Sequence, residues 1–282
     1  MQLDGLPQGF GTEVRDFDIQ EGRDAVEIAM LKQAYDREGL LIFRSGQEIA
    51  PERQAEICGW FGPILPNEAT GEDWGYLRND ETSGSIPLPY HCDMSYLDHP
   101  ILGISLHAVS LPRIPTPTAF VSNAMAWSAL PDDLREEVRS LTLQHFFSGY
   151  RYDGWPDFEA FHPVCLRHPK TKRELLFVTA QHATRLVEVD ARRSDELIRL
   201  MYDHIYKSEH EYVHEWHPHD LLIWDNLALQ HTRARASQAS EGSRVLQRVM
   251  LGRVGFTEQF EFAKQRHLAK GLSLARVAAP SE

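Results

Sequence analysis

The sequence has few cysteines, no cluster of positive charge and no long apolar run, and each of these absences argues against a class of protein. Its three cysteines have no CxxC spacing, which argues against a disulfide framework and a thiolate zinc site. The formal net charge is −12 and there is no Lys/Arg-rich run, so nucleic acid is not an expected partner. No stretch approaches the ~20 apolar residues that span a bilayer, and the N-terminus lacks the pattern of a secretory signal. The sequence therefore predicts a cytoplasmic protein without a membrane partner.

The distribution of apolar residues predicts more strands than helices. Apolar residues recur at three- and four-residue intervals in five segments, which are expected to be helices: 25–37, 51–61, 131–141, 194–207 and 258–270. Ser194 is the predicted N-cap of the fourth helix. Eight short apolar or alternating segments are typical of strands: 40–44, 101–109, 118–122, 141–148, 175–178, 211–216, 221–224 and 245–253.

This order of elements favours a mainly β fold. Regular crossover helices do not separate the strands, so we expect two packed antiparallel sheets of the jelly-roll type, with helices outside. No internal repeat, low-complexity tract or linker divides the chain, and residues 1–282 are predicted to form a single domain.

His91 and Asp93 form the only His-x-Asp sequence in the chain. On an extended segment, side chains two residues apart project to the same face, so this imidazole and carboxylate can bind one metal ion. Cys92 should point to the opposite face, where a buried apolar role is expected. By itself, a motif this short more often occurs without a metal than with one.

A third candidate ligand, His231, follows an apolar segment and the polar turn Trp224-Asp225-Asn226. Two histidines and one carboxylate leave coordination positions open, which suits iron(II) that binds a 2-oxo acid and O2. Arg244 and Arg248 come next, four residues apart on one side of a predicted strand. Arginine is a planar, two-pronged donor for the far carboxylate of such an acid, although a lone arginine is more often a surface residue.

The order of these motifs resembles the family of taurine dioxygenase and the phenoxyacetate herbicide dioxygenases. The resemblance covers nearly the whole chain, from Gly9-Phe10-Gly11-Thr12-Glu13-Val14 through Trp60-Phe61-Gly62-Pro63, and is most specific in the pattern strand, Trp-Asp-Asn, His, Arg-x-x-x-Arg. It implies a double-stranded β-helix (cupin-like) core and a non-haem iron(II) oxidoreductase. 2-Oxoglutarate and O2 are the implied co-substrates, with release of succinate and CO2.

The resemblance also implies roles for individual residues. His91, Asp93 and His231 match the iron ligands of the family, and Arg244 matches the residue that binds the distal carboxylate of 2-oxoglutarate. Thr118 matches a threonine that helps to bind the same carboxylate, although Pro-Thr-Pro precedes it where the family has Gly-Gly-Asp.

The expected substrate is a small or medium organic acid with an apolar or aromatic body. Arg248 corresponds to an arginine that faces the iron and, in some members of the family, binds an acidic group on the substrate. Trp74, Tyr76 and Phe147 are further candidates for the substrate pocket. His182, in a predicted loop, either lines the mouth of the site or is an ordinary loop residue.

Several alternatives stay open on the sequence alone. Hydroxylation is the expected reaction, but the same oxidising chemistry also serves desaturation, cyclisation and ether cleavage. A non-catalytic jelly-roll protein that binds a metal or a metabolite is a further alternative. A homo-oligomer is expected only from the resemblance.

The segment His210-Glu211-Tyr212-Val213-His214 matches the zinc-protease pattern HExxH. That pattern requires a helix, which brings both histidines to one face. Here Tyr212, His214 and Trp216 alternate with polar neighbours, so the segment is predicted to be extended and a metalloprotease is disfavoured.

Overall fold

The computed structural model describes residues 1–79, 86–233 and 242–274. The strands in this part of the chain are β1 Gln2–Gly5, β2 Thr12–Arg15, β3 Leu40–Phe43, β4 Ile64–Leu65, β5 Gly75–Arg78, β6 Leu88–His91, β7 Gly103–Ser110, β8 Thr118–Ser122, β9 Thr142–Phe147, β10 Phe158–Pro163, β11 Cys165–Arg167, β12 Glu174–Leu176, β13 Ala183–Leu186, β14 Tyr212–His214, β15 Leu221–Asp225, β16 Leu229–Arg233 and β17 Val245–Leu251.

The α-helices of the described residues are α1 Ala25–Glu38, α2 Pro51–Gly59, α3 Asn123–Ala129, α4 Asp132–Val138, α5 Ala191–Ile205 and α6 Phe256–Ala269. Side chains cap several of them. The Asp24 carboxylate caps α1 by accepting hydrogen bonds from the backbone N–H groups of Val26 and Glu27. Gly39 ends that helix at φ 78°, a left-handed conformation that suits glycine. None of the described helices is long and apolar enough to cross a membrane.

Two sheets form the centre of the fold. The larger has the strand order β1-β2-β3-β15-β7-β17-β4, with β5 also paired to β17, and the smaller has the order β14-β8-β16-β6. Every described pairing in these two sheets is antiparallel except that of β2 with β3. The 8-stranded and 4-stranded sheets face each other, and this arrangement confirms the predicted jelly-roll class.

The apolar side chains between the sheets belong to one buried cluster. The larger sheet contributes Leu40, Ile42, Ile104, Leu106, Leu222, Trp224 and Leu246, and the smaller sheet contributes Phe120 and Leu229. The alternate residues of the larger sheet, such as Leu41 and Val249, pack on the outer face together with side chains of α1 and α2. A third cluster packs α3, α4 and α5 outside the smaller sheet. Alternation along each strand therefore decides which residues can reach the interior.

The start of α5 differs most from its predicted position, and α6 begins two residues earlier than predicted. α5 begins three residues before Ser194, and its N-cap is Asp190, whose carboxylate accepts from the backbone N–H of Arg193. The Ser194 hydroxyl lies inside the helix and accepts from the backbone N–H of Leu186 in β13. Asp and Ser can both cap a helix, so the sequence alone does not choose between Asp190 and Ser194. The contact of Ser194 with β13 leaves Asp190 as the N-cap.

Candidate metal and co-substrate site

The two candidate histidines lie opposite each other on neighbouring strands of the smaller sheet. His91 ends β6 and pairs with His231 of β16, and the two ring centroids are 4.2 Å apart. His231 also pairs with Phe120 of β8, so its side chain points to the interior between the sheets. Its ring contacts the Trp224 ring edge-on, with the centroids 4.9 Å apart. The strand register thus brings together two histidines that are far apart in sequence.

Asp93 completes the cluster from the turn that follows β6. One of its carboxylate oxygens lies 3.0 Å from Nε2 of His91 and 3.8 Å from Nε2 of His231. The ligand atoms of the three residues lie within 4.8 Å of one another, and no other such group of at least three potential ligands occurs in residues 1–79, 86–233 and 242–274. The structure therefore brings together the three residues that the sequence predicted as metal ligands.

The donor set of this cluster suits a metal cation. Nδ1 of His91 lies 2.8 Å from the carbonyl oxygen of Pro89. Since a carbonyl can only accept, Nδ1 carries a proton, and Nε2 is the nitrogen that faces Asp93. Burial, together with the neighbouring His91, lowers the pKa of His231 to about 3. Burial opposes ionisation of Asp93, but the hydrogen bond from His91 and the nearby His231 and Arg248 outweigh it and hold the pKa of the carboxyl below its usual value. Two imidazoles and one carboxylate fit iron(II).

Arg244 lies just before β17, and its buried guanidinium has no counterion among the described residues. Its side chain is 3 % exposed, and its Nε and Nη1 atoms have no hydrogen-bond partner in the described part of the chain. Burial and the nearby Arg233 lower its pKa to about 10, so the group stays charged at neutral pH. The Asn79 side chain accepts from the backbone N–H of Arg244 and holds the main chain in place. A buried, unsatisfied cation of this kind fits the carboxylate of an acid ligand.

Thr118 is buried on the inner face of β8, two residues before Phe120. Its hydroxyl accepts a hydrogen bond from Nε1 of Trp216 at 3.1 Å. The hydroxyl proton is thereby left available for a second acceptor. This position agrees with the predicted role of Thr118 beside a carboxylate, although no described interaction joins it to Arg244.

Arg248 shares a face of β17 with the position of Arg244, because the two are four residues apart. The part of the chain that the structure describes contains no ion pair of Arg248, whose charge acts on both Asp93 and Tyr96. It lines a cavity of about 220 Å³ together with Met94, which follows Asp93. A cation without a described ion pair therefore lies close to the candidate metal ligands on the inner side of the sheet.

An aromatic wall adjoins these groups. Phe147 stacks on Tyr96 with ring centroids 4.7 Å apart, and the ring of His182 meets Tyr96 edge-on at 4.9 Å. Nδ1 of His182 lies 3.1 Å from the Ser95 hydroxyl, whereas its buried Nε2 has no partner among the described residues. Burial, together with the neighbouring His91, lowers the pKa of His182 to about 3, so the ring of His182 is neutral at pH 7.

Two of the predicted substrate residues lie elsewhere. Trp74 packs against the outer cluster beneath α1 and α2. Tyr76 is 39 % exposed and pairs with Gln247, whose side chain also faces outwards, towards α2. The prediction that Trp74 and Tyr76 line the substrate pocket is therefore corrected, because the register of β5 on β17 turns both towards the outer face. Leu77 is the residue of β5 that packs against the interior cluster.

Two residues near the candidate ligands, Asn226 and Tyr96, were not assigned a role in binding from the sequence, and a third, His182, was left between a place at the mouth of the site and an ordinary loop position. Asn226 bonds to the main chain of Asp93, and Tyr96 and His182 form part of the aromatic wall. The spacing of Tyr96 from Asp93 is a local signal that could have indicated proximity. Asn226 and His182 carry no such signal, since only the tertiary fold brings them to the site.

The HExxH segment does not form a metal site. Tyr212–His214 is a strand, and it pairs with β8. Nε2 of His214 lies 3.1 Å from a carboxylate oxygen of Asp220 instead. The prediction of an extended segment is confirmed for Tyr212–His214, whereas His210 ends a short 3-10 helix, so the α-helix that the HExxH pattern requires is absent from this segment.

Several known proteins are similar to this chain over most of its length. Residues 2–250 match the family described as Taurine catabolism dioxygenase TauD, TfdA family. The chain is 24% identical over 258 residues to an alpha-ketoglutarate-dependent 2,4-dichlorophenoxyacetate dioxygenase of Cupriavidus pinatubonensis, covering 80% of this chain and 89% of the relative. It is 23% identical over 274 residues to an alkylsulfatase of Acinetobacter baylyi, covering 89% and 84% of the two chains.

Solved structures of similar fold cover most of the chain. A taurine dioxygenase from Burkholderia xenovorans superimposes with a TM-score of 0.76 at 23% identity, covering 89% of this chain and 90% of the other. A structure of AAD-2 in complex with Mn(II) and N-oxalylglycine gives the same TM-score of 0.76 at 22% identity, covering 89% and 97%. At these identities the likeness establishes the fold.

Proposed function

Because the chain belongs to the TauD, TfdA family of taurine catabolism dioxygenases, we propose that it is an iron(II)- and 2-oxoglutarate-dependent dioxygenase that hydroxylates a small or medium organic acid. The observation that carries the proposal is the pairing of two features. A cluster of two histidines and one carboxylate lies within 4.8 Å, and a buried arginine in the same interior lacks a described counterion. The first fits a metal, and the second fits the far end of a dicarboxylic co-substrate.

Each residue has a separate task in this proposal. His91, Asp93 and His231 hold iron(II), which together with 2-oxoglutarate and O2 supplies the oxidising chemistry and gives succinate and CO2. Arg244 binds the distal carboxylate of 2-oxoglutarate, with a hydrogen bond from the Thr118 hydroxyl. The interior cluster that includes Phe120 and Trp224 excludes water around the ligands.

The same inner face supports an acid as the substrate. Arg248 is a cation without a described ion pair, and its charge acts on Asp93. The stacked rings of Tyr96 and Phe147 provide a flat apolar surface beside it, and Nε2 of His182 offers one further hydrogen bond. Among the relatives, one acts on 2,4-dichlorophenoxyacetate by its name and another is an alkylsulfatase. Both names denote anionic substrates, which agrees with a role for Arg248 as an anion anchor.

The cofactor chemistry can be tested before a substrate is known. Anaerobic addition of iron(II) and 2-oxoglutarate to the purified protein should produce the weak visible metal-to-ligand charge-transfer band of the chelate. The band should disappear in His91→Ala and weaken in Arg244→Ala. A wild-type protein that takes up iron without this band would contradict the proposal and favour a non-catalytic metal-binding protein. If the band forms, succinate release in the presence of candidate acids identifies the substrate.

A further inference from the structure

The reverse faces of the two histidine strands share one polar network. Neighbouring residues on a strand point to opposite sides, so the residues that flank the ligands point away from the metal cluster. Tyr90 precedes His91 in β6, and Gln230 precedes His231 in β16. Both side chains face the layer that contains α5, where Tyr90 packs against the cluster formed by α3, α4 and α5.

The backbone pairing between these two strands is sparse. β6 and β16 pair at His231 with His91 and at Arg233 with Leu88, and the register shifts between these two pairs. Pro89 lies within β6 and has no N–H to donate. In the described residues, few backbone hydrogen bonds therefore fix the distance between the two histidine-bearing strands.

Tyr206, directly after α5, joins the two strands from behind. Its ring stacks on Tyr90, with centroids 4.7 Å apart and an interplanar angle of 16°. Its hydroxyl donates to Oε1 of Gln230 at 2.7 Å and accepts from the backbone N–H of Ala180 at 2.9 Å. One side chain thus contacts the neighbour of each metal-binding histidine.

The network continues to Cys92, the residue between His91 and Asp93. The Gln230 amide donates to Oδ1 of Asn123 at 2.8 Å and to the carbonyl of Val178 at 2.9 Å. The Asn123 amide donates to the carbonyl of Leu227 at 2.8 Å and approaches the sulfur of Cys92 at 3.8 Å. Gln230 and Asn123 are fully buried. Buried polar networks whose members are all satisfied are stiff, because each broken hydrogen bond leaves a costly unpaired group.

We propose that Tyr206 is a positioning residue that sets the separation of His91 and His231 through Tyr90 and Gln230. This inference rests on the proposed function, because it takes His91, Asp93 and His231 as the metal ligands. Residues that orient metal ligands typically affect metal affinity by about 10- to 100-fold when they are changed. The hydroxyl of Tyr206 should therefore influence the metal although it does not touch the ligands.

The test is Tyr206→Phe, which removes one hydroxyl and leaves the ring that stacks on Tyr90. Co(II) serves as the probe, since it binds sites of this type and its visible ligand-field spectrum reports the coordination geometry. We expect Co(II) binding about 10-fold weaker than in the wild type and a changed band shape at saturation. Thermal unfolding of the metal-free protein measures the purely structural cost separately.

Tyr202→Phe is the matched control. Tyr202 lies one turn earlier in α5, and its hydroxyl donates to the carbonyl of Thr179 at 3.1 Å without contacting Gln230. It should lose stability but retain wild-type Co(II) affinity and spectrum. Equal affinity and spectrum in Tyr206→Phe and the wild type, or equal weakening in both variants, would overturn the positioning role.

A second variant covers the case in which Tyr206→Phe does not fold. Gln230→Met removes the amide that accepts from Tyr206 but keeps a side chain of similar length. It should also weaken Co(II) binding and change the spectrum, and wild-type behaviour would overturn the inference. Failure of the wild-type protein to bind Co(II) would instead contradict the metal site itself, and the positioning role with it.

Discussion

Asn226 holds both polar groups of the Asp93 main chain. Its Oδ1 accepts from the backbone N–H of Asp93 at 2.9 Å, and its Nδ2 donates to the carbonyl oxygen of Asp93 at 3.0 Å. The same amide donates to the carbonyl of Ile101 at 2.8 Å. Asp93 lies in a turn, whereas His91 and His231 lie on paired strands. The contact with Asn226 therefore holds the main chain of Asp93 where no strand pairing does so. The candidate carboxylate ligand is therefore positioned from the turn that follows β15.

Replacement of Asn226 by alanine should weaken metal binding. The change frees the main chain of Asp93 and leaves its N–H without the described acceptor, so the carboxylate loses its fixed direction. We expect about 10- to 100-fold lower metal affinity, measured by Co(II) titration. Gln259→Ala is the control, because Gln259 holds the backbone N–H and carbonyl of His99 at 2.9 and 3.0 Å in the same manner. Equal metal affinity in the two variants would show that the Asn226 contact serves stability alone.

Replacement of Arg248 by glutamine should reduce binding of an acidic substrate. Glutamine keeps hydrogen-bonding capacity and removes the charge, so the effect should depend on the charge of the substrate. For an acid that supports succinate release, we expect KM to rise by roughly 10-fold, or about 1.4 kcal/mol. This is less than the loss of a fully buried charge partner, because Arg248 is only half-buried. For the corresponding neutral amide, KM should hardly change. An equal rise for the acid and the amide would contradict the role of Arg248 as an anion anchor.

The fold and much of the site could be predicted from the sequence because their signals are local. β8 begins and ends at the predicted residues. The two-residue spacing of His91 and Asp93 keeps their side chains close together, although β6 ends at His91 and Asp93 lies in the turn after it and not on the predicted extended segment. The family and the jelly-roll class are confirmed. The roles of Arg244 and Thr118 stay predictions that their positions support.

The errors concern residues whose surroundings depend on distant segments. Trp74 and Tyr76 were predicted to face the substrate, but a one-residue difference in strand register decides between the two faces of a sheet. Asn226 looked like an ordinary turn residue, and its contact with Asp93 spans 133 residues of sequence. Such contacts leave no pattern in a single sequence.

His107 should make the stability of the metal-free protein depend on pH. Its ring is fully buried, and neither nitrogen has a partner in the described segments. Burial and the neighbouring His219 lower its pKa to about 4, against a weaker opposing effect of Asp220. The unfolded chain therefore binds a proton at a higher pH than the folded chain. The contribution of His107 to the free energy of unfolding is therefore fully present above about pH 6.5 and is lost as the pH falls towards 4.

His107→Leu tests this dependence. Leucine cannot take up a proton, so the variant should lose less stability than the wild type between pH 6.5 and 4, by at most roughly 3 kcal/mol. Urea unfolding of the metal-free proteins at several pH values measures the difference. His210→Leu is the control, since that side chain is 29% exposed. If His107→Leu and the wild type lose stability in parallel over this range, another group causes the loss.

Arg244 should affect stability and co-substrate binding in opposite directions. Without a bound anion, its buried charge has no described counterion, and burial lowers its pKa to about 10. Because the charged form is disfavoured in the folded state, Arg244→Met should stabilise the metal-free protein by about 1 to 3 kcal/mol, as replacements of buried charges by apolar residues often do. The same variant should bind 2-oxoglutarate at least 10-fold more weakly, since it loses a charge-assisted, two-pronged contact.

The two effects can be measured in one experiment. Thermal unfolding of the iron-free and the Mn(II)-loaded proteins, with and without 2-oxoglutarate, separates intrinsic stability from stabilisation by the ligand. Arg244→Lys keeps the charge but not the planar donor pair, so it should bind 2-oxoglutarate with intermediate affinity and gain little stability. A loss of intrinsic stability in Arg244→Met would mean that the guanidinium is satisfied within the protein. The site would then have no unmet need for a carboxylate, and the main argument for 2-oxoglutarate as the co-substrate would fail.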